Sequence, residues 1–211
     1  MELITWFADL ILHLDKHLVE LLRDYGVWVY FILFLIVFAE TGFVVTPFLP
    51  GDSLLFAAGA LAAVDSSNTL SPWTLSLVLI IAAVAGNTTN YHIGRWIGPR
   101  AFSGNIRFLK VEYLRKTESF FEKHGSMTIV LSRFAPIVRT CAPFVAGVGR
   151  MPYARFQAYN VLGGLAWVLL FIWAGFWIGN IPFIKDNFGF VTIGIVVVSL
   201  LPVVWVALKK E

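Results

Sequence analysis

The sequence predicts an all-α polytopic membrane protein: two opposed re-entrant helical hairpins in an inverted repeat, spanning helices, and an N-terminal amphipathic helix. Three observations predict it. Hydrophobic residues make up 58% of the 211-residue chain and charged residues 14%, against about 45–50% and 25% in soluble domains, and the mean hydropathy is +0.78. The stretches 66–94, 156–184 and 187–208 carry no formal charge and match the roughly 20 residues needed to cross a hydrocarbon core. Two further apolar stretches are broken by prolines and contain charges.

In order along the chain, Leu3, Ile4, Phe7, Leu10, Ile11, Leu14, Leu18, Leu21 and Leu22 form one helical stripe, with Asp9, His13, Lys16, Glu20 and Arg23 on other faces. Residues 1–26 therefore read as an amphipathic helix lying on the membrane or on the protein itself. Glu2 and Asp9, with no Lys or Arg in residues 1–9, argue against a signal peptide. The membrane domain is expected over 27–211. Its first run, Trp28 to Ala39, is apolar but too short to span alone.

From Glu40 to Val64 the chain stays apolar, yet Gly42, Pro47, Pro50 and Gly51 interrupt it and Asp52 sits among them. A re-entrant hairpin over about 40–64 accommodates such backbone where protein or a wet cavity covers it. A spanning helix over 73–94 follows. Residues 95–124 form a basic loop holding Arg95, Arg100, Arg107, Lys110, Arg115, Lys116 and Lys123, expected to be cytoplasmic by the positive-inside rule; its stretch 109–123 reads as a surface helix.

A second hairpin is expected over 127–150, where Pro136, Pro143 and Gly147 break an apolar run that embeds Arg133 and Arg139. Spanning helices over 156–178 and 188–208 complete the path and return Lys209 and Lys210 to the cytoplasmic side. The hairpins share a weak pattern: Phe48-Leu49-Pro50 with Phe134-Ala135-Pro136, and Phe56-Ala57-Ala58-Gly59 with Phe144-Val145-Ala146-Gly147. Each precedes a spanning helix and the two enter from opposite faces, as in an inverted repeat of a secondary transporter.

Charges within the apolar runs point to function. An ionisable group at membrane depth costs at least about 2.5–3.5 kcal/mol, and four occur: Glu40, Asp52, Arg133 and Arg139. They form either structural ion pairs that lock the hairpin tips, or a polar chamber. Two guanidiniums facing one cavity suit a phosphate head group, since they stay charged and present a rigid donor fork. Carboxylates titrate, so Glu40 and Asp52 supply proton coupling in this reading. On the 73–94 helix, Asn87, Asn90 and Tyr91 share a face and are candidate cavity lining, with interhelical hydrogen bonding as the alternative; Gly86 and Gly94 allow close packing.

Other constellations point less far. His92 reads as a packed or interfacial histidine. His13, His17 and Glu20 lack a second ligand cluster, so no metal or cofactor is expected. Cys141, the single cysteine, excludes an intramolecular disulfide and reads as a packing residue. A net charge of +3 without a clustered basic surface argues against nucleic acid.

Glu40-Thr41-Gly42, Pro47-Phe48-Leu49-Pro50-Gly51-Asp52-Ser53-Leu54, Ser132-Arg133-Phe134-Ala135-Pro136-Ile137-Val138-Arg139-Thr140 and Ala146-Gly147 together resemble the DedA family of bacterial inner-membrane proteins over essentially the whole chain. The resemblance implies the SNARE-associated, or VTT, domain and lipid translocation, including recycling of undecaprenyl phosphate from the outer to the inner leaflet, and proton-dependent homeostasis. It carries the family's essential acidic pair onto Glu40 and Asp52 and its arginine pair onto Arg133 and Arg139. One departure is Gly86-Asn87, where relatives often have Gly-Asp. The expectation is a non-enzymatic flippase of the inner membrane whose partners are an anionic lipid, protons and the bilayer, with a homo-oligomer compatible. A membrane-embedded lipid-phosphate enzyme and an assembly factor are the rivals; the latter would tolerate a charge exchange of Glu40 with Arg133.

Overall fold

A computed structural model describes residues 25–43, 51–65, 69–97, 111–179 and 181. The predicted amphipathic helix up to residue 24, the tip of the first hairpin at 44–50, the basic-loop residues 98–110 and the 188–208 helix lie outside the described residues. Among those described there are helices and no strands: α1 (Trp28–Gly42), α2 (Gly51–Val64), α3 (Pro72–Ile97), α4 (Val111–His124), α5 (Thr128–Leu131), α6 (Pro136–Val148) and α7 (Tyr153–Gly179).

Two of these, α3 with 26 residues and α7 with 27, are long and apolar enough to cross a membrane. At about 1.5 Å per residue both exceed a hydrocarbon core of about 30 Å. Both expose large apolar side chains: Trp73, Leu77 and Ile81 on α3, and Leu162, Leu165, Leu169 and Trp177 on α7. The same holds on α1, where Val29, Leu33, Val37 and Glu40 are buried while Trp28, Phe31 and Leu35 face out. Helices that are apolar on both their packed and open sides have lipid as their solvent.

The chain forms two compact units. One contains α2, α3 up to Val78 and α7 from Val168. There α2 lies against α7 at unusually close range, because a Cβ on Gly59 would collide with the Ile172 carbonyl, and one on Gly175 with the Phe56 carbonyl. Tyr30 adds a polar tie, donating to Thr69 O at 3.1 Å and accepting from Ser71 N at 2.7 Å.

The second unit holds α1 from Leu33, α3 from Leu79, α4, α5, α6 and α7 up to Trp167. The same reciprocal contact recurs: a Cβ on Gly147 of α6 would strike the Tyr91 carbonyl of α3, and one on Gly94 the Phe144 carbonyl. Tyr91, Ile129, Val138, Ala142, Ala146 and Phe156 form its apolar core, with Phe120 and Phe121 of α4 packed against it. The opposite face of α4 exposes Arg115, Lys116, Glu118, Glu122 and Lys123, as expected of a surface helix. Gly125, at φ +56°, closes α4 in the left-handed conformation that glycine adopts freely.

The expected breaks in the second hairpin resolve differently. The chain breaks once, at Ala135, which is extended (φ −120°, ψ 102°) because a residue before proline is pushed out of the helical region; Pro136 then opens α6, where a missing N–H costs nothing. Pro143 and Gly147, read as further breakers, lie inside α6. Gly147 serves packing, since its missing side chain is what lets α6 and α3 touch backbone to backbone. Likewise Glu40 belongs to the last turn of α1 and not to a broken segment.

Candidate functional site

Five segments of the second unit converge on a buried polar centre. The last turn of α1 supplies Glu40 and Thr41; α3 supplies Asn87, Thr88 and Asn90; the 3-10 turn Ser132–Phe134 supplies Arg133; α6 supplies Arg139 and Thr140; α7 supplies Gln157, Asn160 and Trp167. Glu40, Arg133 and Arg139 are 1%, 1% and 5% exposed, so each charge is removed from solvent and must be compensated locally.

Arg139 is compensated by Glu40, its Nη2 lying 2.5 Å from Glu40 Oε1. Asn90 aligns the pair: its amide nitrogen donates to Thr41 O at 3.2 Å and to Thr140 O at 2.8 Å, joining the two residues that follow Glu40 and Arg139. Gly86 lets α1 approach, since a Cβ there would collide with Thr41 Oγ1.

Arg133 is held differently. Its Nη2 donates to Asn160 Oδ1 at 2.9 Å and to Ala83 O at 3.3 Å. Its Nε and Nη1 have no hydrogen-bond partner among the described residues. Both guanidiniums lie over the Trp167 indole, with Cζ to ring-centre distances of 5.6 Å for Arg133 and 5.3 Å for Arg139. The ring's negative face attenuates their repulsion. Gly163 and Gly164 of α7 lie beside it: a Cβ on the first would be 3.5 Å from Arg133 Cγ and on the second 3.6 Å from Arg133 Nη2, both ordinary contacts.

Asn160 is the hub. Its Oδ1 accepts from Arg133 and from Asn87 Nδ2 at 3.0 Å, while its Nδ2 donates to Val84 O at 3.1 Å and Gln157 Oε1 at 2.9 Å. Gln157 donates onward to Thr88 Oγ1 at 3.0 Å and to Tyr153 OH at 2.8 Å. A hydrogen-bonded ladder thus climbs one face of α7 from the exposed Tyr153 to the buried Arg133.

Of the residues singled out in the sequence, Glu40, Arg133, Arg139, Asn87 and Asn90 meet here. Glu40 pairs with Arg139, so the exchange of Glu40 with Arg133 would not swap a pair. Asp52 lies half-buried in the first turn of α2, in the other unit. Tyr91 does not line the centre with the two asparagines: it is buried in the apolar core, stacked on Phe156 at 4.4 Å, with its hydroxyl donating to Met151 O. One residue of helical rotation past Asn90 carries its ring onto a different neighbour. Tyr91→Phe is accordingly expected to cost about 1 kcal/mol of stability, read by thermal unfolding, and to leave the polar centre intact. His92 is exposed beside Tyr153, at 5.4 Å between rings. Cys141 is a buried free thiol. No group of three or more metal-ligating side chains gathers among the described residues.

Sequence reasoning missed Asn160, Gln157 and Trp167. The first two are amides in the otherwise apolar stretch 156–184, and their i, i+3 spacing on one helix face was the available signal. Trp167 carried none, being one of eight tryptophans.

Comparison with known proteins identifies the family. Residues 49–176 match the VTT domain. The chain is 56% identical to Protein DedA of Escherichia coli K12 over 96% of its own length and 92% of that protein's. It is 43% identical to an uncharacterized membrane protein of Mycobacterium leprae, over 79% of this chain and 74% of the other. Inner membrane protein YghB of Escherichia coli K12 is 33% identical, over 98% and 93% respectively. No solved structure matches. Helices with exposed apolar surfaces around a buried charged centre, a VTT domain over more than half the sequence and 56% identity to DedA over 96% of the chain establish that this chain is a membrane protein of the DedA family.

Proposed function

We propose that the protein moves undecaprenyl phosphate, or a similar anionic phospholipid, between leaflets of a bacterial inner membrane, coupled to protons and without making or breaking a covalent bond. The observation that carries this reading is Arg133: a guanidinium 1% exposed, with two nitrogens lacking a hydrogen-bond partner and no carboxylate bonded to it among the described residues. A buried charge of this kind is costly until an anion joins it, and a phosphate presents the oxygens that its remaining donors require.

Proton coupling assigns separate tasks to the two arginines. Arg139 is held by Glu40; protonating Glu40 weakens that ion pair and favours sharing the guanidinium with the phosphate beside Arg133, and deprotonation strengthens it again. Asp52 serves as the second proton site on the strength of the family resemblance. The prenyl or acyl chain remains in lipid throughout, so only the head group needs a polar route.

The reciprocal glycine contacts support an inverted repeat of re-entrant hairpins. Phe56 and Gly59 meet Ile172 and Gly175 as Phe144 and Gly147 meet Tyr91 and Gly94. In each case the hairpin helix of one half packs on the spanning helix that follows the other hairpin, the exchange expected of a two-fold relation in the membrane plane. The basic loop 95–124 and the C-terminus are assigned to the cytoplasmic side.

Reconstitution into liposomes tests the reading. Outer-leaflet undecaprenyl phosphate is measured with and without a pH gradient for the native chain, Arg133→Ala and Asp52→Asn. The native protein is expected to deplete it in a gradient-dependent manner and both variants to lose most of that movement; equal movement in all three would refute transport by this site.

A further inference from the structure

We infer that Asn87 selects the chemical form of the head group: the site takes a phosphate that still carries one P–O–H, whose proton is donated to Asn87 Oδ1 while Arg133 binds the anionic oxygens. This rests on the reading of Arg133 as head-group ligand and adds that the ligand itself brings a proton into the site.

The orientation of the Asn87 amide is dictated by its neighbours. A guanidinium only donates, so the Asn160 atom that receives Arg133 Nη2 at 2.9 Å is its oxygen. That same oxygen receives Asn87 at 3.0 Å, which requires the nitrogen of Asn87 on that side. Asn87 Oδ1 is then turned away from Asn160; it is buried and has no hydrogen-bond partner among the described residues. Because Asn87 and Arg133 share one acceptor atom, the unsatisfied oxygen and the unsatisfied Arg133 nitrogens belong to a single polar centre. That centre therefore offers donors and an acceptor together.

Ligands differ in whether they match this set. A singly protonated phosphate monoester has oxygens that accept and a hydroxyl that donates. A phosphodiester has no proton to donate, and the fully ionised monoester sets a charged oxygen against Asn87 Oδ1. The second ionisation of a phosphate monoester falls near pH 6, so both forms are accessible around neutrality. An aspartate at position 87 would accept in the same direction but add a negative charge, opposing the anion. The other charged or titratable groups around the centre are the Glu40–Arg139 pair from α1 and α6 and, through Gln157, Tyr153 on α7; His92, also on α3, is exposed.

The test is titration of the purified full-length protein in detergent with dodecyl phosphate, its methyl diester and inorganic phosphate, at about pH 5.5 and about pH 8, either side of that ionisation. The native chain is expected to bind the monoester about tenfold more tightly than the diester, with the preference larger at the lower pH. Asn87→Leu is expected to bring the two affinities within about twofold, the remaining hydrogen bonds being common to both ligands. Equal affinities in the native protein, or a preference that survives Asn87→Leu, overturns the inference; the first comparison needs no variant to fold. Arg133→Gln leaving monoester binding unchanged would instead overturn the head-group reading. Inorganic phosphate carries the same P–O–H, so weaker binding than dodecyl phosphate supports a lipid ligand, and tighter binding overturns the lipid assignment while sparing the role of Asn87.

Discussion

Glu40→Ala is expected to destabilise the protein by about 3–5 kcal/mol, the cost of removing one partner of a buried ion pair. Arg139 is 5% exposed and bonded to Glu40 at 2.5 Å, so truncating the carboxylate removes a charge that compensates a buried guanidinium. It would then share the Trp167 face with Arg133, 5.6 Å from the ring centre, without the Glu40 carboxylate. Adding Arg139→Met to Glu40→Ala should recover most of the loss, because replacing both charges removes the stranded group. Denaturant titration in micelles, followed by helicity, reads both values. Exchanging the charges as Glu40→Arg with Arg139→Glu is the sharper comparison. A lock would survive the exchange in stability and function alike, whereas a proton-switched head-group site should lose transport even where the fold is retained.

Gly147→Ala is expected to cost about 3 kcal/mol, at the upper end for overpacking, because the new methyl would collide with the carbonyl oxygen of Tyr91 and with Arg95 N at 2.8 Å. Backbone atoms cannot rotate aside as a side chain can, so α6 must lift from α3. That displacement carries Arg139 away from Glu40, and transport should fall with stability. Gly59→Ala should behave alike in the other unit, where the obstacle is the Ile172 carbonyl. Gly42→Ala is the control: its methyl would sit 3.5 Å from Gly86, an ordinary contact, and the loss should be much smaller. Equal losses at positions 42 and 147 would contradict the packing account.

Much of this arrangement was legible beforehand. Spans at α3 and α7 follow from uncharged length alone, and the surface helix α4 follows from its charge pattern. The four charges in apolar runs, Glu40, Asp52, Arg133 and Arg139, stood out because hydrocarbon penalises a charge wherever the chain folds; three of them, all but Asp52, lie in one centre. The partnership of Glu40 with Arg139 was not legible. The two are 99 residues apart, and Arg133, one and a half turns or so from Arg139 by residue count, has the same chemistry; only the approach of α1 at Gly86 and the clamp at Asn90 distinguish them. Tyr91 lies apart from the two asparagines, in the apolar core, for a similar reason. Helical spacing assigns a face, but a large aromatic at the margin of that face goes to whichever neighbour is apolar.

The amino-acid sequence by itself determined the solvent this protein is made for, the segments that can cross it and the charged residues that hydrocarbon would reject without a purpose. These follow from composition, length and local pattern, which tertiary contacts do not alter. Only the tertiary structure decided that one arginine is neutralised and the other is left with open donors, that Asn160 and Trp167 hold them, and that Gly147 packs where it was expected to break a helix. Those outcomes depend on which backbones approach within a few ångströms, and the approach is set by small residues far apart in the chain acting together.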